Sequence, residues 1–193
     1  MKILYGIQGT GNGHLARARA MVPALRESGL VVDCLFTGRA REDFFNMEVF
    51  GDFACYEGLS LKTERGRMDY WATLTQNRFA TFLRDLRELD LYGYDLVISD
   101  FEPLSAWAAR LQGVASLAVS HQAAFNHGVP KVQGYICAQL LMRYFAPTDQ
   151  AIGVHWHHFN HVVLPPIIEA MQPHVPDPTK VVDYLGFEEL NDI

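Results

Sequence analysis

The opening segment constrains the fold more than any other stretch of the chain. Lys2-Ile3-Leu4-Tyr5-Gly6-Ile7-Gln8 contains an apolar run suited to a buried strand, and Gly9-Thr10-Gly11-Asn12-Gly13 then places three glycines in five residues. His14-Leu15-Ala16-Arg17-Ala18-Arg19-Ala20 follows directly as an Ala/Arg/Leu-rich helical pattern. Glycine has no Cβ, so such a loop turns sharply and lets a ligand approach the backbone. The helix behind it aims free N–H groups and the positive end of its dipole at whatever lies over the loop. His14 therefore stands at the mouth of a crevice, carrying the side chain that exchanges a proton near neutral pH.

The same alternation runs down the chain. Residues 3–7 predict a first strand and 15–27 a first helix, with Leu15, Ala18, Val22 and Leu25 at three-to-four spacing and Gly29 as its C-terminal cap. Pro23 is expected to kink or shorten that helix. Strands follow at 31–36 and 53–56, separated by a short helix around 41–50, and 58–68 reads as a long mobile loop. One amphipathic helix is expected next, with Trp71, Leu74, Phe79, Phe82, Leu83, Leu86 and Leu89 on its apolar face. A compact strand at 95–99 leads to Asp100, and Pro103 opens a helix closed by Gly113. Strands at 115–119 and 151–156 and a helix at 131–145 complete the pattern. Repeated strand–helix alternation implies an α/β, doubly wound, mostly parallel Rossmann-like sheet with helices on both faces.

Composition excludes several classes. A hydrophobic fraction of 49% beside 20% charged residues suits a globular domain with a full core. The net charge of −6 and the absence of a basic stripe argue against nucleic acid as a partner. Charges interrupt every apolar run before membrane-spanning length, and no signal peptide precedes the first strand, so a cytoplasmic chain without a transmembrane segment is expected. Cys34, Cys55 and Cys137 have no metal-like spacing and read as reduced thiols.

The glycine loop is neither the dinucleotide pattern G-x-G-x-x-G nor a P-loop, since no Gly-Lys-Ser/Thr ending follows it. The second strand ends in Thr37-Gly38 with no acidic ribose ligand, which disfavours an oxidoreductase. A glycine loop can also serve tight strand-to-helix packing alone. Ligands of open parallel sheets bind beyond the carboxyl ends of the strands, and both His14 and Asp100 follow strands at that edge. A carboxylate on one imidazole nitrogen fixes the tautomer and raises the basicity of the other. Asp100 could equally cap the helix that begins at Pro103, and the two roles are compatible.

Ile7-Gln8-Gly9-Thr10-Gly11-Asn12-Gly13-His14 resembles the acceptor-side loop of GT-B glycosyltransferases, which include the UDP-sugar transferases and the lipid-linked N-acetylglucosaminyl transferase of peptidoglycan synthesis. Asp95-Leu96-Val97-Ile98-Ser99-Asp100-Phe101-Glu102-Pro103 is similar to the segment that carries the aspartate partner of the catalytic histidine there. A bacterial and archaeal group within that class shares G-x-G-N-G-H-x-x-R-A, D-F-E-P, H-Q after the next strand and a late L-P-P, here Leu164-Pro165-Pro166. The resemblance implies the N-terminal half of a GT-B enzyme that transfers a sugar, with inversion, from a nucleotide-sugar donor to the hydroxyl of a sugar or lipid-linked acceptor. His14 would be the base and Asp100 its orienting partner. Gly9, Thr10, Gly11, Asn12, Gly13, Glu102, His121 and Gln122 would contact substrate. No cofactor or metal is implied on this half. The alternative from another class is a non-catalytic ligand-binding or regulatory domain on the same scaffold.

His155, His157, His158 and His161 invite a zinc site, but no neighbouring Cys, Asp or Glu completes a ligand set. His121-Gln122 and Asn126-His127 leave a strand on the ligand-binding edge, where acceptor contact and a plain loop role are both open. The expected division is a domain at 1–172 and, at 173–193, a proline-rich linker and the first strand of a second, donor-binding domain. That strand, at 180–187, would lack a sheet to complete and could mediate self-association.

Overall fold

The structure, a computed structural model, describes residues 1–64, 67–126, 143–161 and 163–168. Strands β1 (Lys2–Gln8), β2 (Val31–Thr37), β3 (Phe53–Tyr56), β6 (Leu96–Asp100), β7 (Ser116–Ser120), β8 (Gln150–Val154) and β9 (Val163–Leu164) form one sheet in the order β3-β2-β1-β6-β7-β8-β9. Every pairing in it is parallel. Buried on both faces, β1 reads as a nearly continuous apolar run. From β1 the chain winds outward through β2 and β3, then returns to the other side of β1 as β6. The strand order reverses between β1 and β6, which pair with Ile7 opposite Asp100. That reversal is where open α/β sheets form a ligand crevice.

Each face of the sheet carries its own core. Ile3, Tyr5, Ile7, Val32, Cys34 and Phe36 pack against Leu15, Ala18 and Val22 of helix α1 (Asn12–Glu27). Leu4, Leu35 and Val97 pack against Phe82 of α3 (Phe79–Glu88) and Leu104, Ala108 and Ala109 of α4 (Pro103–Gln112). Burial pushes the Cys34 thiol up to about 12, with Arg26 acting in the other direction, so it behaves as a core residue.

Several elements differ from the sequence pattern. Helix α1 starts at Asn12 and continues through Pro23 to Glu27, so the proline does not shorten it. The stretch 41–50 holds two short 3₁₀ turns, Arg41–Asp43 and Glu48–Phe50. The expected loop at 58–68 contains an antiparallel hairpin of β4 (Thr63–Glu64) and β5 (Arg67–Met68). The single amphipathic helix is two, α2 (Tyr70–Gln76) and α3, with the break at Asn77, whose side chain bonds the Thr73 carbonyl of α2 and also Ser60. Its Oδ1 accepts from the Ser60 N–H at 2.8 Å, and its Nδ2 donates to the Ser60 carbonyl at 2.9 Å. With the helix broken there, Phe82 reaches the core while Trp71, Leu74, Phe79 and Leu83 remain exposed. The expected helix at 131–145 lies largely, and the strand at 180–187 wholly, outside the described residues. No helix among the described residues is long and apolar enough to cross a membrane.

Candidate active site

Two strand-to-helix turns, β1 to α1 and β6 to α4, meet at the crevice. The first is held open. Gly9 donates its N–H to the Thr37 carbonyl at 2.7 Å, and a Cβ there would meet the Phe44 ring and that same carbonyl at 2.6 Å. Only glycine lets the loop pass so close to β2. Helix α1 begins after Gly11 with no side-chain cap and no acid in its first turn. Its first N–H groups and the positive end of its dipole therefore face the crevice.

The structure brings His14 and Asp100 together. His14 Nδ1 lies 2.8 Å from Asp100 Oδ1, with the carboxylate wholly buried and the imidazole 13% exposed. Arg17, one turn beyond His14 on α1, completes the group. Its Nε donates to Asp100 Oδ2 and its Nη2 to Oδ1, each at 2.7 Å. Burial disfavours the Arg17 charge, yet the hydrogen bonds and charge of Asp100 outweigh it and move the guanidinium pKa up. A carboxylate held in a two-bond fork by a guanidinium is an acceptor at both oxygens. In the neutral ring, donation to it from Nδ1–H leaves the lone pair on Nε2. Arg17 Nη2 lies 3.2 Å from that same Nδ1, and the two donors converge on Oδ1. Beneath them the Tyr5 phenol is held protonated, its pKa raised first by burial and then by the Asp100 charge.

The sequence pattern contains Arg17 but assigns it no role. Its signal was the three-residue spacing from His14, which puts both side chains on one helical face.

Glu102, expected to contact substrate, has a fully buried carboxylate that caps α4. Oε1 accepts from the Leu104 N–H at 2.7 Å and Oε2 from the Ser105 N–H at 2.6 Å. The cap of α4 is thus Glu102 and not Asp100, which is left to Arg17 and His14. Burial raises the Glu102 pKa against the opposing pull of hydrogen bonds from Ser105, Leu104 and Thr37. The helix end sits so close to β1 that a Cβ at Gly6 would collide with Ser105 Oγ. Between the two carboxylates Phe101 adopts φ 56°, a left-handed conformation that a bulky residue holds only when its surroundings impose it. That twist turns the two acids to different tasks.

The remaining candidates spread out. Thr10 and Asn12 are exposed on the loop, and Asn12 Oδ1 accepts from Arg39 at 3.3 Å. His121, just beyond β7, donates through Nδ1 to the Val154 carbonyl at 3.1 Å and stacks on His155 with ring centres 5.2 Å apart. Gln122 turns toward a separate cleft of about 470 Å³ shared with Ser99, Phe101 and Ser120, and its Oε1 finds no partner among the described residues. His127 lies outside the described residues. Each ring Nδ1 of His155, His157 and His158 accepts a backbone N–H two residues on, which fixes them as turn-formers.

A parallel sheet that reverses at this point is the architecture of the N-terminal domain of GT-B glycosyltransferases. The glycosyltransferase SsfS6 of Streptomyces sp. SF2575 has this fold, with a TM-score of 0.53 at 13% identity over 97% of this chain and 66% of that one. Its complex with thymidine diphosphate matches with a TM-score of 0.53 at 12% identity, over 92% and 56% of the two chains. A UDP-N-acetylglucosamine 2-epimerase matches with a TM-score of 0.50 at 15% identity, over 79% and 41%. At such identities the likeness is one of fold alone. The chain thus spans between 41% and 66% of the length of these proteins. A family model described as glycosyl transferase family 1 matches residues 1–140, and the chain belongs to that family. No curated protein matches the sequence.

Proposed function

We propose that this chain is the acceptor-side half of an inverting glycosyltransferase in which His14 is the general base. The observation that carries the reading is the 2.8 Å contact of His14 Nδ1 with a carboxylate already forked by Arg17. Nε2 then takes the proton of an acceptor hydroxyl. The acceptor oxygen forms its bond to the anomeric carbon, the bond from that carbon to the donor phosphate oxygen breaks, and the nucleoside diphosphate leaves with the electron pair. The imidazolium that results is balanced by Asp100. The uncapped start of α1, with the backbone of the loop from Thr10 to Gly13, suits the donor phosphates or the acceptor. Residues 1–172 would form this domain, and 173–193 would lead to a second one that holds most of the nucleotide sugar.

Two measurements test the reading. In the intact enzyme, His14→Gln is expected to fold normally and to lose at least about a hundredfold in turnover, the usual minimum for loss of a general base. Turnover within about threefold of wild type would remove His14 from that role. The 193-residue chain alone is expected to be inert and to bind nucleotide sugars weakly. Micromolar binding in calorimetry, about −8 kcal/mol, would put the donor site on this half.

A further inference from the structure

Beyond the carboxyl ends of β2 and β3 lies a cleft of about 520 Å³ that the proposed chemistry does not use. Its size falls within the range of small-molecule sites, about 300–1,000 Å³. Arg39, Arg41, Lys62 and Arg78 line it, and among its described lining residues only Glu57 is acidic. This concentration of positive charge occurs in a chain whose net charge is −6. The cations are also positioned. Arg39 stacks over the Phe44 ring at 5.4 Å, and Arg41 stacks over Phe53 at 4.1 Å while donating to the Phe53 carbonyl. Arg78 sits 3.4 Å from Glu57, and both side chains face solvent. The Lys62 backbone is pinned by the Thr73 hydroxyl and by the Asp69 N–H, each at 2.9 Å.

The walls are equally fixed. Gly38, at φ 95°, donates its N–H to the Glu57 carbonyl at 2.9 Å, and Gly58, at φ 64°, packs so tightly that a Cβ would strike Thr37. The cleft adjoins the glycine loop: Arg39 donates to Asn12, two residues ahead of His14, and Gly38 packs on Thr10. Guanidinium groups recognise phosphate through paired hydrogen bonds, and an ammonium adds a point charge.

We propose that this cleft binds a phosphate group of the acceptor, so that the molecule glycosylated is a phosphorylated one whose hydroxyl is presented to His14. The inference rests on the assignment of this half to the acceptor. The phosphate can belong to a soluble sugar phosphate or to a sugar linked through phosphate to a prenyl chain, and the cleft recognises the group they share.

Amide NMR titrations of the 193-residue chain with glucose 1-phosphate, farnesyl phosphate and glucose test this. Shifts at Gly38, Glu57 and Gly58 are expected with one or both phosphates and not with glucose, and the tighter of the two identifies the source. Lys62→Ala and Arg78→Ala should each weaken that binding about tenfold, the scale of one charge-assisted hydrogen bond. His14→Gln should leave it unchanged, so failure here and failure of the base assignment are separate results. Three outcomes would overturn the proposal: no shift at these amides with either phosphate, equal binding of glucose, or tighter binding of uridine diphosphate in the same cleft.

Discussion

Helices α1 and α4 both follow a parallel strand at the crevice, yet their first turns are built in opposite ways. The start of α1 has three glycines nearby, no side-chain cap and no acid. The start of α4 is sealed by a buried glutamate that takes two N–H groups, and it is pressed against β1 through Gly6. One turn is left uncapped and the other is closed and holds a residue. The residue it holds is Asp100, last in β6 and placed by the left-handed Phe101 beside His14. Two carboxylates two positions apart therefore do unrelated work. The architecture of a strand–helix unit does not say which kind of turn it carries; the side chains do.

Substitutions should separate the two turns. The largest effect is expected at Asp100→Asn, which leaves Arg17 without its counter-charge and His14 without a fixed tautomer. Turnover should fall about a hundredfold or more. Stability should fall by about 3 kcal/mol, as when one member of a buried pair is removed. Activity assays and denaturant unfolding read the two effects, and an active Asp100→Asn enzyme would break the assignment. Glu102→Ala should do the reverse. It strands two buried N–H groups at a cost of about 2 kcal/mol, while the correctly folded fraction keeps its turnover. A selective loss of turnover without loss of stability would mean that Glu102 contacts substrate after all.

The Glu102 contribution should also depend on pH. Its folded-state pKa is raised by burial, so the folded chain holds that proton more tightly than the unfolded chain does. The associated stability is complete below the unfolded carboxyl value of about 4.3 and is lost as pH rises through the folded value. The gap between wild type and Glu102→Ala in unfolding experiments should therefore narrow from acid toward neutral pH. A gap that widens would contradict the burial account. Gly6→Ala, which drives a methyl into Ser105, should cost about 1–3 kcal/mol.

The smallest effect sharpens the contrast most. Gly11→Asp would give α1 the cap it lacks, since Gly11 has an extended backbone and its Cβ would meet only the His14 ring at 3.5 Å. A stability gain of about 0.5 kcal/mol is expected, together with weaker transfer as the new charge opposes the donor phosphates. Improved stability with undiminished transfer would show that the open helix end is not used.

The sheet and its crevice were legible in the sequence because parallel strands are short apolar runs and glycine marks the turn. The edge shared by His14 and Asp100 followed from the same alternation. Arg17 was visible only as part of a helical pattern, because a guanidinium on a helix is ordinarily solvated and its buried partner lies 83 positions away. The capping role of Glu102 was hidden for a related reason: an acid ahead of Pro103 looks the same whether it points to solvent or caps the helix. The break between α2 and α3 was hidden altogether. Helical periodicity runs through Asn77, and the break there coincides with contacts from its amide to both backbone groups of Ser60, 17 positions away.

The central claim is that Asp100 and Arg17 fix one tautomer of His14, with the proton on Nδ1 and the lone pair on Nε2. Long-range proton–nitrogen NMR of the ¹⁵N-labelled chain reads this directly at a pH where the ring is neutral. The expected result is a protonated Nδ1 and a bare Nε2, with the preference lost in Asp100→Asn. A proton on Nε2 in the wild-type chain would leave no base facing the acceptor and would contradict the account.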